Sequence, residues 1–400
     1  MTPGRLRACP LAAAAPATLL LALLSAAAAC TGPPPDVPAA PGTTPTSAAG
    51  AAGRASRPFT LAATGDVLPH DSIIRQAHAD AGGDGYDFRP MLAGVKPVIS
   101  AADLAVCHME TVYGPDGGPF TGYPSFASPP QIAAALADTG YDSCSTASNH
   151  TLDAGAEGIR RTLDHLDAAG VRHAGSARTA EEAVTPALLE AGGARVAHLA
   201  YTYGTNGIPV PAHRPWSVNL IDESRILSDA RAAREAGADI VVVSVHWGTE
   251  WQTAPDGSQL RLGRALAASA TDGRPDVDLV LGTHAHVPQA YEKVGGTWIV
   301  YGMGDQIAGR MVNHSGAYDP RGNEGTISRF TFSPPTAQGG RWEVTRAEFL
   351  PQWFDTARNR VVDLNAAIAS GDTSLVPVRD RITATALGRG AAAAGLTLGR

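Results

Sequence analysis

Five short runs constrain this chain more than any other feature: FTLAATGD (Phe59–Asp66), DLAVCHME (Asp103–Glu110), YDSCSTASNH (Tyr141–His150), DIVVVSVHWG (Asp239–Gly248) and VDLVLGTHAH (Val277–His286). Each is β-prone, carries an apolar stretch and ends on residues able to hold a cation. Helical patterns lie between them. Pro130 suits a first helical turn ahead of Ile132 and Leu136, and Ile159, Leu163 and Leu166 recur at i, i+4 and i+7 as a core-facing stripe. Further helices are predicted over about Glu223 to Ala236 and Ser258 to Ala270, crossovers of the length that parallel strands require. The alternation predicts an α/β fold, a largely parallel sheet covered by helices. Ligands gather at the carboxyl ends of such strands, so Asp66, Glu110, Asn149, His150, His246, His284 and His286 are expected to converge.

Beyond Thr297 the pattern changes. Trp298–Tyr301, Ile327–Phe332 and Trp342–Pro351 are β-rich without long intervening helices, which predicts antiparallel hairpins or a second layer. The folded domain is expected over residues 59–352, with 353–400 a partly helical C-terminal extension whose Ala/Gly-rich end is frayed.

The N-terminus reads as an address. Arg5 and Arg7 precede an apolar stretch from Leu11 to Leu24 and then small residues up to Cys30, the layout of a secretory signal over residues 1–29. Ala27-Ala28-Ala29-Cys30 has the form of a lipoprotein cleavage box, so Cys30 is the expected lipidation site, with a soluble secreted form as the alternative. Residues 30–58 have the Pro/Ala/Gly-rich composition of a solvated tether. These readings predict an extracytoplasmic protein anchored to the outer face of the cell membrane. Without residues 1–29 the chain has 29 basic and 38 acidic residues, a net charge of −9. That argues against nucleic acid as a partner, since such binding rests on basic surface. Cys107 and Cys144 lie in apolar runs and read as small buried hydrophobes, although an exported domain permits a disulfide.

Carboxylate, amide oxygen and imidazole form a mixed donor set suited to Mn, Fe or Zn. A pair of such ions, bridged by one carboxylate, activates a water and clamps the group under attack. His284 and His286 alternate along what reads as an extended segment, placing both on one face. Trp247 and Trp251 read as cleft or core residues, and His70, His78, His165, His173, His198, His213 and His314 as surface or packing residues. The chain has neither G-x-S-x-G nor G-x-x-x-x-G-K-[ST]. An α/β serine hydrolase is therefore disfavoured, as is polymer synthesis driven by the chain's own ATP.

The motif order Gly65-Asp66, Glu110, Ser148-Asn149-His150, His246 in HWGTE, and Gly282-Thr283-His284-Ala285-His286 resembles the calcineurin-like metallophosphoesterases. More closely it resembles the CapA family of capsule and poly-γ-glutamate synthesis proteins, over roughly Phe59 to Gly304. The resemblance implies a layered α/β sandwich with mixed sheets flanked by helices. It implies Asp66, Glu110 (bridging), Asn149, His246, His284 and His286 as ligands of one or two divalent ions, and His150 as general acid. Asp153 orients His150 or caps the following helix. His108, Glu250, Gln289 and Asp305 are expected around the ligands or facing substrate, and Tyr301 is family-like. Three positions depart from the pattern: Leu68 stands where the phosphoesterases carry the histidine of D-x-H, and His108 and Asp305 stand where CapA proteins carry asparagine.

The implied role is synthesis, export or trimming of an anionic surface polymer or its precursor by metal-assisted hydrolysis or transfer, with a polymer-synthase complex as partner supplying the ligase chemistry. A non-catalytic polymer-binding accessory and a phosphoesterase of soluble substrates are the alternatives. Substrate, activity, metal count, oligomeric state and the pairing of Cys107 with Cys144 are not legible.

Overall fold

The computed structural model describes residues 56–337 and 340–400. The expected signal, most of the tether and Cys30 lie outside the described residues. In chain order the first half comprises β1 (Phe59–Leu68), α1 (Asp71–Asp80), α2 (Arg89–Leu92), α3 (Lys96–Ile99), β2 (Leu104–Met109), α4 (Ile132–Thr139), β3 (Ser143–Ser145), α5 (Gly155–Ala168), β4 (Arg172–Ala174), α6 (Ala180–Val184), β5 (Ala187–Ala191) and β6 (Ala194–Thr202). There follow α7 (Glu223–Glu235), β7 (Ile240–His246), α8 (Gly257–Ala268), the small hairpin β8 (Ala270–Thr271) and β9 (Arg274–Pro275), β10 (Leu279–Thr283), β11 (Tyr291–Val294), β12 (Thr297–Val300) and β13 (Asp305–Ala308). The chain closes with β14 (Glu324–Ser333), β15 (Glu343–Asp355), β16 (Arg360–Asp363), α9 (Leu364–Ala369), α10 (Val376–Ala386) and β17 (Leu396–Leu398).

The strands build two mixed sheets rather than a single parallel one. The first runs β16-β15-β14-β1-β2-β3-β4, with β13 also paired to β1 and β17 to β15; the second runs β11-β12-β10-β7-β6-β5. Strands β1, β2, β3 and β4 are mutually parallel, as are β6, β7, β10 and β12. Period-two alternation divides each strand between two cores. Leu61, Leu104, Val106, Val196, Ile240, Val242, Leu279 and Leu281 meet between the sheets. The intervening positions Ala62, Ala105 and Cys107 face residues of α1 to α5, while Val241, Val243 and Val280 face α7 and α8. The result is the layered α/β sandwich of mixed sheets flanked by helices that the resemblance implies.

One irregularity places a key residue. Phe59, Leu61 and Ala63 point to the other sheet, and strict alternation would turn Asp66 toward the helices. The pairing of β1 with β2 shifts register between Ala63 and Asp66, after which Val67 faces the helices and Asp66 faces inward. Gly65 sits in that break, where a β-carbon would stand 1.7 Å from the carbonyl oxygen of Gly304, so only glycine admits this close approach.

Two expectations are corrected here. Cys107 and Cys144 are not free thiols. They are register partners on β2 and β3 with Cα atoms 4.4 Å apart, and their sulfurs are bonded. Direct opposition on one sheet face brings them within disulfide reach. The C-terminal region is neither an extension nor frayed. β15 runs past residue 352, β17 pairs parallel with it, and Ala386, Ala391 and Leu396 are buried in the core between the sheets. Apolar burial outweighs the chain's loss of freedom there despite the Ala/Gly-rich composition. No helix among the described residues is long and apolar enough to cross a membrane.

Candidate metal centre

The inward face of both sheets ends in polar residues. On β2, His108 follows Leu104 and Val106 on the same face, with Glu110 just beyond; on β7, Ser244 and His246 continue the face of Ile240 and Val242; on β10, Thr283 continues that of Leu279 and Leu281. Asp66 completes the set from β1. The two sheets therefore present their ligand-bearing ends to each other.

The contacts are close. His246 Nε2 is 2.9 Å from Asn149 Oδ1 and 3.9 Å from Glu110 Oε1, while its Nδ1 is 3.0 Å from Thr283 Oγ1. Asp66 accepts the amide of His284 at 3.1 Å and lies 3.7 Å from both His286 Nδ1 and His108 Nε2. His286 Nδ1 also meets Asp305 Oδ1 at 2.9 Å. Donor atoms within 4.8 Å of one another form three overlapping groups: Asp66, His108 and His246; Asp66, Glu110 and His286; and Glu250, His284 and His286.

Five buried atoms in this cluster, both carboxylate oxygens of Glu110, His108 Nε2, His284 Nδ1 and Asp305 Oδ2, have no hydrogen-bond partner among the described residues. Such atoms cost folding free energy unless something else satisfies them. The electrostatics agree. Burial, reinforced by Glu110 and Asp305, holds Asp66 well above the carboxylate range, and burial raises Glu110 to about 7. Burial and neighbouring imidazoles hold His246 and His284 well below the histidine range. Burial also opposes charge on His286, but Asp305 beside it, with Glu110 and Asp66, raises its pKa well above normal. The neutral imidazoles of His246 and His284 and the stranded carboxylates are a set that a divalent cation satisfies, and the residues fit such an ion.

Beside this cluster, His150 Nδ1 is 2.7 Å from Asp153 Oδ2, and the same oxygen accepts the amide of Phe126 at 2.7 Å. Phe126 packs edge-on against the His150 ring at 4.7 Å. Residue 154 is the N-cap of α5 and makes no side-chain cap, so Asp153 orients His150 rather than capping the helix.

The expected ligands all come together, but the route differs for two of them. β10 ends at Thr283, and His284 (φ +88°) and His286 (φ +56°) lie in left-handed conformations beyond it, not on an extended strand. Glycine-like backbone at non-glycine residues is strain of the sort that gathers at functional sites. Gln289 is fully buried, donating to the Gln252 carbonyl at 2.7 Å and accepting from Gln259 at 2.7 Å, so it braces the loop after β7. Trp247 is a core residue bonded to the Tyr301 carbonyl, whereas Trp251 packs beside Met311 near His286. Tyr301 donates its hydroxyl to Glu292.

Two residues at the rim escaped sequence reasoning. Tyr203 is half-exposed with its ring 4.4 Å from that of His284, and Asn206 reaches both Asn149 and His150. Both sit in the loop after β6, whose sequence carries no ligand motif. His108 was placed outside the ligand set although strand parity with Glu110 puts both on one face.

The family model for the bacterial capsule synthesis protein PGA_cap matches residues 60–310. Capsule biosynthesis protein CapA of Bacillus anthracis is 26% identical over 176 residues, 43% of this chain and 41% of that protein. PGA biosynthesis protein CapA of Bacillus subtilis (strain 168) is 28% identical over 178 residues, 43% of this chain and 44% of that protein. The chain thus spans less than half the length of these curated relatives. Among solved structures, the calcineurin-like phosphoesterase YfkN from Bacillus subtilis superposes with a TM-score of 0.42 at 16% identity, covering 81% of this chain and 99% of that one. The NAD nucleotidase NadN of Haemophilus influenzae gives a TM-score of 0.42 at 14% identity over 75% of this chain and 58% of that one.

Proposed function

The chain belongs to the bacterial capsule synthesis protein family PGA_cap, and on that premise we propose that it hydrolyses or transfers a phosphoryl or acyl group on an anionic surface polymer or its precursor, using one or two divalent ions. The observation that carries this reading is the convergence, from both sheets, of buried donor atoms that have no hydrogen-bond partner among the described residues. Asp66, Glu110, Asn149, His246, His284 and His286 are the residues that would hold Mn, Fe or Zn. The ion supplies Lewis acidity at the centre under attack.

The protein's own contribution is proton handling and position. Asp153 fixes the His150 ring through Nδ1 and leaves Nε2 to protonate the leaving group. Phe126 holds that ring from one side, and half-exposed Tyr203 offers a surface beside His284 for substrate to pack on. Export by residues 1–29, anchoring through Cys30 and a tether over 30–58 would put this site outside the cytoplasm. A synthase partner would supply the ligase chemistry.

Purified chain loaded with Mn²⁺, Fe²⁺ or Zn²⁺ and assayed on phosphodiesters and γ-glutamyl peptides tests the proposal. His150→Ala is expected to lower kcat by about 10²–10⁴-fold while metal affinity stays within twofold. Metal binding without turnover on either substrate class would make the protein a non-catalytic accessory.

A further inference from the structure

Asp305 at the start of β13 stands in register with Asp66 and His108 near the ends of β1 and β2, so that three ionisable side chains stand in a row across one sheet. His108 is 1% exposed, and its ring stacks on that of His246 with centroids 4.7 Å apart. Its Nδ1 is 2.6 Å from Ser145 Oγ, and Ser145 Oγ in turn donates to the Cys107 carbonyl at 3.5 Å. In the tautomer in which the Ser145 hydroxyl turns to the Cys107 carbonyl and accepts from the ring, Nδ1 carries the hydrogen and the Nε2 lone pair points away from Ser145. That nitrogen has no hydrogen-bond partner among the described residues and lies 3.7 Å from Asp66 Oδ1. Two acceptors facing each other in a buried place repel unless a proton or a metal ion lies between them, and a metal ion also satisfies His246, the third member of this group. Two donors about 2.1 Å from one ion stand about 3.0–3.4 Å apart, so a shift of a few tenths of an ångström closes the gap.

Leu68, two residues along β1 from Asp66, packs with Phe126, Ala308 and Met311 and offers no donor. We propose that His108 is a metal ligand which restores, from the neighbouring strand, the imidazole that Leu68 lacks. Its Nε2, Asp66 and His246 would form one ion's binding set, joined through Asp66 to the group of Glu110 and His286. Ser145 is then a positioning residue that sets the tautomer. This inference rests on the reading that the centre binds divalent cations, and it adds which residue completes it.

Calorimetric titration of the full chain with Mn²⁺, and separately with Zn²⁺, after chelation separates the two claims. Wild type and the exposed-site control His78→Gln are expected to bind alike. His108→Gln and His108→Asn are expected to lose one equivalent of metal or to weaken it about 100-fold or more, beyond the 10–100-fold typical of residues that only support a ligand. Unchanged stoichiometry and affinity in both variants would overturn the assignment of His108 alone. Failure of wild type to bind either metal would overturn the underlying reading as well. Crystals of the wild-type chain soaked in Mn²⁺ need no variant to fold: an anomalous peak about 2.2 Å from His108 Nε2 supports the assignment, and peaks at the centre that leave His108 unbound refute it.

Discussion

The two ends of the sandwich treat the same side chains in opposite ways. Where the parallel strands begin, Asp103 accepts the amide of Thr60 at 2.8 Å, Asp142 that of Ala105 at 2.8 Å, Asp239 that of Arg195 at 2.9 Å and Asp278 that of Val241 at 2.7 Å. In each case a carboxylate at the head of one strand ties down the first residues of its neighbour, and Asp103 and Asp278 add an arginine partner. Where the strands end, Glu110, His108 and His284 are all buried, whereas of the four aspartates only Asp278 is, and these three keep atoms with no hydrogen-bond partner among the described residues. Partnered carboxylates hold the sheets together, whereas unpartnered ones destabilise the empty protein and become favourable once a cation arrives.

The largest test of that contrast is Asp278→Ala. It removes the carboxylate partner of part-buried Arg234, which keeps the Asp239 and Pro275 carbonyls, and the side-chain acceptor of the Val241 amide, and urea unfolding is expected to report a loss of about 3–5 kcal/mol. A loss below about 1 kcal/mol would erase the distinction between the two ends.

Next comes Glu110→Gln in chelator. Burial raises the folded carboxyl to about 7 from 4.5, so wild-type stability falls as pH rises from 4.5 to 7 and stays low above it. The variant escapes this. It is expected to be more stable than wild type by about 3 kcal/mol at pH 8, to converge with it below pH 4.5, and to bind metal far more weakly. Equal denaturation midpoints at pH 8 would mean that Glu110 has an unseen partner.

The smallest effect concerns His198, a buried imidazole with both nitrogens engaged. Nδ1 lies 2.8 Å from Ser143 Oγ on one sheet and Nε2 lies 2.9 Å from Ser244 Oγ on the other. Burial lowers its pKa to about 4 from 6.5, so the unfolded chain takes up a proton first. The stabilisation from the neutral ring is complete above pH 6.5 and is lost as pH falls toward 4. Between pH 7 and 5, wild type is expected to lose about 2 kcal/mol more than His198→Asn. Parallel pH profiles would show that this satisfied histidine does not behave as its burial requires.

Much of the centre was legible because local pattern carries it. Alternation marked the strands, and motif spacing marked Asp66, Glu110, Asn149, His246, His284 and His286. His108 shared its strand face with Glu110 and was readable by parity alone. The aspartates that stand first or second in four of the five runs were equally visible, but their role requires knowing which strand lies next door. Asp153 had two local roles open to it; in the structure its carboxylate meets His150 Nδ1 and the Phe126 amide, and the N-cap of α5 falls on residue 154.

The sequence by itself determined which segments are strands, which of their residues share a face and which donor types stand at their ends. These are consequences of a period-two backbone and of side-chain chemistry, both local properties. Only the tertiary structure decided that the strands form two facing sheets, that a break at Gly65 turns Asp66 inward, that Cys107 meets Cys144 and that the C-terminal strand joins β15. Register and strand order arise from contacts between segments far apart in the chain, where burial of a shared core selects one arrangement among many that the local pattern permits.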